Sequence, residues 1–351
     1  MTPLEVHLIE RITQHGPLRL SDYMAECLMH PDHGYYTQEQ VFGRTGDFVT
    51  APGISQMFGE MVGLSLAQSW ITQGRPKDAI LVELGPGHGT LMADIRRVAK
   101  AVPGFDALDI HMVEQSPKLR TIQTQANGVV THHNDVSQLP DRPMFITANE
   151  FFDALPIRQF RRTDAAWQEC LIGVVDEKLA YGVSAPQQFD FLQHRLADTK
   201  PDDLVEYCPA LPDIMTHLST KIAQHGGAAL MFDYGDWRSQ GDTLQAVQDH
   251  KPVPPLTAPG TIDLTAHVDF EAIYNAAPPA VASKLTTQGV FLERLGITQR
   301  AQVLAQKLSG DALENHITAH RRLTHPDEMG TLFKVMGLAP TLELMPPGVA
   351  V

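Results

Sequence analysis

The chain has 351 residues, of which 43% are hydrophobic and 19% charged, and its formal net charge is −14. Length and composition describe an ordinary globular protein with core enough for one large domain or two. The acidity, relieved only by the short pairs Arg96-Arg97, Arg161-Arg162 and Arg321-Arg322, excludes the basic footprint of a nucleic-acid binder and suits a basic protein partner. Cys27, Cys170 and Cys208 are far apart with no second ligand at metal spacing, which fits free thiols in a reducing compartment. The first ten residues carry Glu5 and Glu10 and resemble neither a secretory signal nor a transit peptide. No apolar run approaches the ~20 residues that span a bilayer. The expectation is a bacterial cytoplasmic protein, or a matrix protein if the chain is a mature organellar form.

In chain order, Leu4, Leu8, Ile9 and Ile12 recur at helical spacing until Gly16-Pro17, and Ser21 is placed to cap a second helix, Asp22 to Met29. The loop from Gly34 to Pro52 is too broken for core and too aromatic for a tether, so a lid or binding segment is expected there. A helix follows with Ile54, Met57, Phe58, Met61 and Leu64 on one face. From Ile80, strands near 80–84, 109–114, 128–132, 144–149 and 228–233 alternate with helices, the pattern of a mainly parallel, doubly wound α/β sheet. Residues 157–182 read as a β-rich excursion around Trp167, 240–325 as a largely helical insertion after the Pro-rich loop Lys251 to Gly260, and Gly330 to Glu343 as a closing strand pair.

The segment Ile80-Leu81-Val82-Glu83-Leu84-Gly85-Pro86-Gly87-His88-Gly89-Thr90-Leu91 is a buried strand, an acidic residue, a glycine turn and a helix start. Gly85, Gly87 and Gly89 let the backbone bend sharply and a ligand lie on bare main chain, with helix N–H groups aimed at it. A nicotinamide site asks for a third small residue where Thr90 stands, and for an acid ~20 residues on. Here the next acid closing a strand is Glu114, 31 residues past Glu83. That arrangement resembles the S-adenosylmethionine (SAM) site of class I methyltransferases. The resemblance implies that Glu83 faces the amino-acid end of the cofactor, Glu114 takes both ribose hydroxyls, and Asp135 with Val136 meets the adenine.

The apolar strand ending in Asn149-Glu150, with Asp153 three residues later, supplies carboxylates at the next strand end. In class I methyltransferases this loop lies beside the reactive methyl. A guanidinium stays protonated at ordinary pH, so carboxylates that fork onto two of its nitrogens and accept the released proton suit it as nucleophile. Glu150 and Asp153 are the candidate catalytic residues, and Asn149 joins the cofactor group. His267 and Asp269, with His250 nearby, match no standard zinc spacing, so no metal is expected.

The chain is similar to the MidA family of SAM-dependent methyltransferases. The resemblance is carried by Gly34-Tyr35-Tyr36, Gly46 to Pro52, Gln56 to Glu60, Glu83 to Met92, Asn149 to Phe160, Gly226 to Gly235, Asp263 to Phe270 and Met329 to Lys334. It implies a class I Rossmann-like fold with an N-terminal helical lid closed by Tyr36, Asp47 and Phe48, and helical and β insertions. It further implies methylation of a protein arginine, credited in mitochondrial members to a respiratory complex I subunit. Gly53, His88 and Val349 depart from the family pattern, which commonly has glutamate, arginine and an aromatic residue there.

The expected organisation is 1–75 helical region and lid, 76–160 first part of the SAM-binding core, 161–225 insertion, 226–240 core strand, 241–328 mainly helical insertion and 329–351 closing strands. The alternatives are a methyltransferase acting on a small molecule or another side chain, and a SAM-binding assembly factor without turnover. The oligomeric state is open, with a homodimer among the options.

Overall fold

The computed structural model describes residues 1–37, 50–248 and 251–351. The chain forms two compact units, each from three stretches: Met1–Phe48, Asp153–Leu211 and Arg238–His267 in one, Val49–Phe152, Pro212–Trp237 and Val268–Val351 in the other. The expected region 1–75 is thus divided near residue 48.

The second unit is built on a sheet whose main strands are β1 (Ile80–Leu84), β2 (Asp109–Val113), β3 (Thr131–His133), β4 (Met144–Asn149), β5 (Gly227–Asp236) and β6 (Phe333–Ala339). Their spatial order is β6-β5-β4-β1-β2-β3. β5, β4, β1, β2 and β3 run parallel, and β6 returns antiparallel beside β5. The order reverses between β1 and β4, the switch point outside which ligands of such sheets bind. β1 and β4 are buried along their whole length, as strands covered on both faces must be.

Helices α1 (Gln56–Thr72) and α2 (Thr90–Ala99) cover the sheet. They approach closely because Gly59 and Gly63 carry no side chain: a Cβ at Gly59 would lie 2.5 Å from Asp94 Cβ, and one at Gly63 3.1 Å from Ile95 Cα. α3 (Pro117–Asn127) starts at Ser116, whose hydroxyl accepts from Leu119 N–H, and ends at Gly128 with φ 76°. Gln288–Arg294, Ile297–Ala305 and Asp311–Thr324 are among the further helices of this unit. Their buried Phe291, Leu292, Ile297 and Leu323 join the same core as Phe58, Leu81, Phe145 and Phe232.

The first unit packs helices Pro3–His15 and Leu20–Met29 with antiparallel strands Arg158–Arg162, Trp167–Val175, Lys178–Val183 and Leu204–Tyr207. Thr2 and Glu5 form a capping box on the first helix. Trp167, at the centre of the β-rich excursion, is buried.

Several boundaries differ from the sequence reading. The second helix begins at Leu20 with Arg19 at its cap, so Ser21 lies inside it. Leu64 is exposed, because the buried stripe of α1 follows Met57, Phe58, Met61, Val62 and Leu66. The third parallel strand is Thr131–His133 rather than 128–132, since Gly128 is spent on ending α3. The described residues of 245–265 are not helical: Gln245–Gln248, Lys251–Val253 and Asp263–Thr265 form a three-stranded antiparallel sheet that buries Ala246 and Leu264, with prolines between the last two strands that no helix would tolerate. The tail gives one long strand, β6, ended by Pro340, and its other partners are the short Val281–Ala282 and Thr286–Thr287.

Candidate active site

The C-terminal ends of β1, β2 and β4 gather Glu83, the glycine turn, Glu114, Asn149 and Glu150 within the second unit. Glu83 is 3% exposed, and its carboxylate accepts the Met92 N–H in the first turn of α2. Burial pushes its pKa up to about 8. Its Oε2, like Oδ1 of Asn149, has no hydrogen-bond partner among the described residues. Two buried acceptors left open at a strand edge call for a donor-bearing ligand, such as an ammonium group.

The three glycines have different tasks. All have left-handed φ, 59°, 52° and 76° in chain order. A Cβ on Gly85 would meet the Phe151 ring at 2.9 Å, and one on Gly89 would meet Asn127 Nδ2 at 2.6 Å. A Cβ on Gly87 would meet nothing within 4 Å. Gly85 and Gly89 are therefore required by packing, and Gly87 is the position whose bare backbone is open to a ligand.

Glu114 stands one residue past β2, with its N–H bonded to His133 O at 3.0 Å. Oε1 accepts from Ser116 N–H at 2.8 Å and Oε2 from Gln123 Nε2 at 3.2 Å, so the carboxylate is held rather than swinging. Burial raises its pKa against those bonds. Asp135 caps the short turn Val136–Gln138: Oδ1 accepts Ser137 N–H at 2.7 Å, which holds its pKa down. Val136 is buried beside it.

At the end of β4, Asn149 Nδ2 donates to Glu150 Oε1 at 3.1 Å. Glu150 adopts φ 52°, a left-handed conformation costly for a glutamate, while its N–H bonds Phe232 O at 3.0 Å. Strain of this kind is kept where the surroundings over-determine it, often at functional positions. The next turn is fixed by Asp233, fully buried, whose two oxygens accept from the N–H groups of Phe152 and Tyr234.

Asp153 and Tyr36 belong to the first unit. Tyr36 donates to Asp263 Oδ1 at 3.0 Å, and burial with the charges of Asp263 and Asp153 raises its pKa. Asp153 is buried, and its carbonyl accepts Ala266 N–H. Asp47, Phe48 and His250 lie outside the described residues.

Asp269 has a structural task, capping the helix Phe270–Asn275 through Ala272 N–H, and the main-chain N–H of His267 bonds Thr243 Oγ1. His7, Glu26 and His30 offer ligand atoms within 4.8 Å of one another, a group the sequence reading did not name. Glu26 already accepts from Arg11 at 2.7 Å, and His30 Nδ1 accepts from Asp32 and His33 N–H. With Nδ1 as acceptor the ring proton sits on Nε2, the atom a metal would need bare, and no metal role is assigned.

Sequence reasoning also missed Gln123, Asn127 and His132. Gln123 and Asn127 are polar residues four apart on α3, both fully buried, which in sequence look like any exposed helix face.

A family model described as "Putative S-adenosyl-L-methionine-dependent methyltransferase" matches residues 61–290. The chain is 37% identical to "Protein arginine methyltransferase NDUFAF7, mitochondrial" of Xenopus laevis over 377 residues, covering 95% of this chain and 84% of that protein. The human protein of the same name is 35% identical, with 97% and 84% covered. Among solved structures, a Burkholderia thailandensis protein bound to S-adenosyl-homocysteine superposes with a TM-score of 0.82 at 28% identity, covering 96% of this chain and 91% of that one. The parallel sheet with its β1–β4 switch point is the Rossmann-like methyltransferase fold. The chain belongs to this family and is a methyltransferase that uses S-adenosyl-L-methionine.

Proposed function

We propose that the chain N-methylates an arginine side chain of a protein partner. The observation that carries this reading is that relatives 35–37% identical across nearly the whole chain bear the name protein arginine methyltransferase. The strand-end carboxylate of Glu150, oriented by Asn149 and held in a strained conformation, supports it chemically.

SAM supplies a methyl group activated on a sulfonium. Glu83, with Oδ1 of Asn149, is assigned to the ammonium end, the Gly87 backbone to the methionine portion, Glu114 to the ribose hydroxyls, and Asp135 with Val136 to the adenine. Glu150 is assigned to accept guanidinium N–H groups, draw positive charge from the attacking nitrogen and take its proton. The rest of the catalysis is alignment, because an in-line displacement needs nucleophile, carbon and sulfur on one axis. Asp153 is kept as the assisting carboxylate, tested by its own Asp153→Asn variant in the transfer assay.

The complex I subunit implied by the family resemblance is the first partner to try. Among the described residues no helix is long and apolar enough to cross a membrane. The relatives are named mitochondrial, and the cytoplasmic reading for this chain stands as part of the proposal, tested by cell fractionation. The test of function uses methyl-labelled SAM and lysate of a strain lacking the chain, with the labelled residue mapped by mass spectrometry. Label on an arginine of one protein is expected. Label on a small molecule, on another side chain, or on nothing despite SAM binding would replace this reading with one of the alternatives.

A further inference from the structure

We propose that Gln123 is a positioning residue for the cofactor site, tying the Gly87 peptide and the Glu114 carboxylate into one unit through a single amide. The inference rests on the assignment of Gly87 and Glu114 to SAM given above.

Gln123 lies in the second turn of α3 and is 0% exposed. Its Nε2 donates both protons, one to Gly87 O at 2.8 Å and one to Glu114 Oε2 at 3.2 Å. Its Oε1 is 2.9 Å from His132 Nε2 on β3. The carbonyl of Gly87 and the carboxylate of Glu114 only accept, so they decide which way the amide faces, and the remaining Oε1 pairs with His132 in its Nε2–H form. One turn on, Asn127 Nδ2 repeats the device on Gly89 O at 2.9 Å.

The consequence is geometric. Gly87, at φ 52°, has the open backbone of the turn, and its carbonyl faces α3, where Gln123 donates to it. Glu114 follows a different strand, β2. The backbone ties the start of the turn to β2 through Gly85 N–H and Val113 O, but among the described residues no backbone donor reaches the Gly87 carbonyl, so its spacing to the Glu114 carboxylate depends on a side chain that reaches both. A ligand spanning the turn and the carboxylate needs that spacing set beforehand, since ordering it on binding costs affinity. The charged group facing Glu114 is Arg120 on α3, whose guanidinium bonds the Glu114 carbonyl; the titratable imidazole of His132, its pKa lowered by burial, lies beyond Gln123.

The experiment measures S-adenosyl-homocysteine affinity by calorimetry at pH 5.5 to 8.5, with melting temperature, for the full chain and Gln123→Leu, Gln123→Glu, His132→Leu and Glu114→Ala. Gln123→Leu is expected to weaken binding about tenfold or more, because a buried bond to a charged acceptor is lost. It raises KM for SAM while leaving kcat at saturating SAM within about twofold. Gln123→Glu keeps the shape but sets a second carboxylate against Glu114, so its loss relative to wild type grows as pH rises and both carboxyls ionise. His132→Leu leaves the Gln123 Oε1 without its partner while both Nε2 bonds remain, and gives a smaller loss. If Gln123→Leu does not fold, Gln123→Glu decides alone by its pH-dependent ratio. A melting temperature lowered with affinity unchanged at every pH, while Glu114→Ala still loses binding, overturns the positioning role alone. Unchanged affinity in Glu114→Ala overturns the cofactor placement beneath it.

Discussion

Asn127 Nδ2 donates to the carbonyl oxygen of Gly89 at 2.9 Å, and a methyl group on Gly89 would lie 2.6 Å from that same nitrogen. The contact separates packing from binding within one turn. Gly89→Ala forces Asn127 aside and strains φ 76°, for an expected loss of about 2–3 kcal/mol of stability. Gly87→Ala meets open space, so only backbone strain of about 1–2 kcal/mol remains. A bulky Gly87→Val is expected to abolish S-adenosyl-homocysteine binding. Urea denaturation and calorimetry on the three variants check the contrast, and equal stability losses at the two glycines would erase it.

Glu83 should give the ligand-free protein a pH signature. A carboxyl at about 8 in the folded state and at its ordinary value of 4.5 unfolded binds more protons when folded across that window. Stability therefore falls as pH rises from about 4.5 to about 8, and Glu83→Gln should flatten this slope. Glu114 and Glu206, also raised by burial, act in the same direction, so the difference between wild type and Glu83→Gln is the quantity to measure. Identical melting-temperature profiles for the two proteins would show Glu83 to be ionised in the free enzyme.

Glu150 combines backbone strain with the proposed chemistry. Glu150→Gln should bind S-adenosyl-homocysteine within about twofold of wild type yet lose methyl transfer by about a hundredfold or more. Glu150→Gly, suited to φ 52°, should gain about 1 kcal/mol in denaturant unfolding while losing transfer. Full activity in Glu150→Gln would take this residue out of the reaction.

Glu60, 3% exposed on α1, is gripped in two-pronged fashion by Arg300, at 2.7 Å from Nε and 3.0 Å from Nη2. Arg300→Ala leaves that carboxylate with Arg97 at 3.8 Å as its remaining cation and should cost about 2 kcal/mol. Arg300 is 36% exposed, so the paired change Glu60→Met with Arg300→Met, which removes the buried carboxylate along with its cation, should recover part of the loss. Chemical denaturation of the single and double variants measures both.

The parts of the site legible in sequence are those encoded locally. Glu83, the three glycines and Glu114 follow strand ends in a fixed rhythm, and an apolar run that leads into an acid and a glycine turn has few uses besides holding a ligand. Asn149-Glu150 is legible for the same reason. What the sequence hides is what the fold brings from elsewhere. Gln123 and Asn127 sit on a helix with mixed polar character, and nothing local says that this face is turned inward onto two carbonyls. The antiparallel strands of 245–265 are hidden by their shortness, three or four residues each, which carries almost no periodicity. Asp263 emerges as the partner of Tyr36 only in the folded unit, where a tyrosine and an aspartate 227 residues apart meet.

The most direct test is a crystal structure of the chain with S-adenosyl-homocysteine. The homocysteine portion should lie over the Gly87 backbone, its ammonium within hydrogen-bond distance of Glu83 or Asn149, and both ribose hydroxyls on the Glu114 carboxylate. Adenosine bound away from the ends of β1 and β2, or Glu114 turned from the ribose, would contradict the proposed cofactor placement.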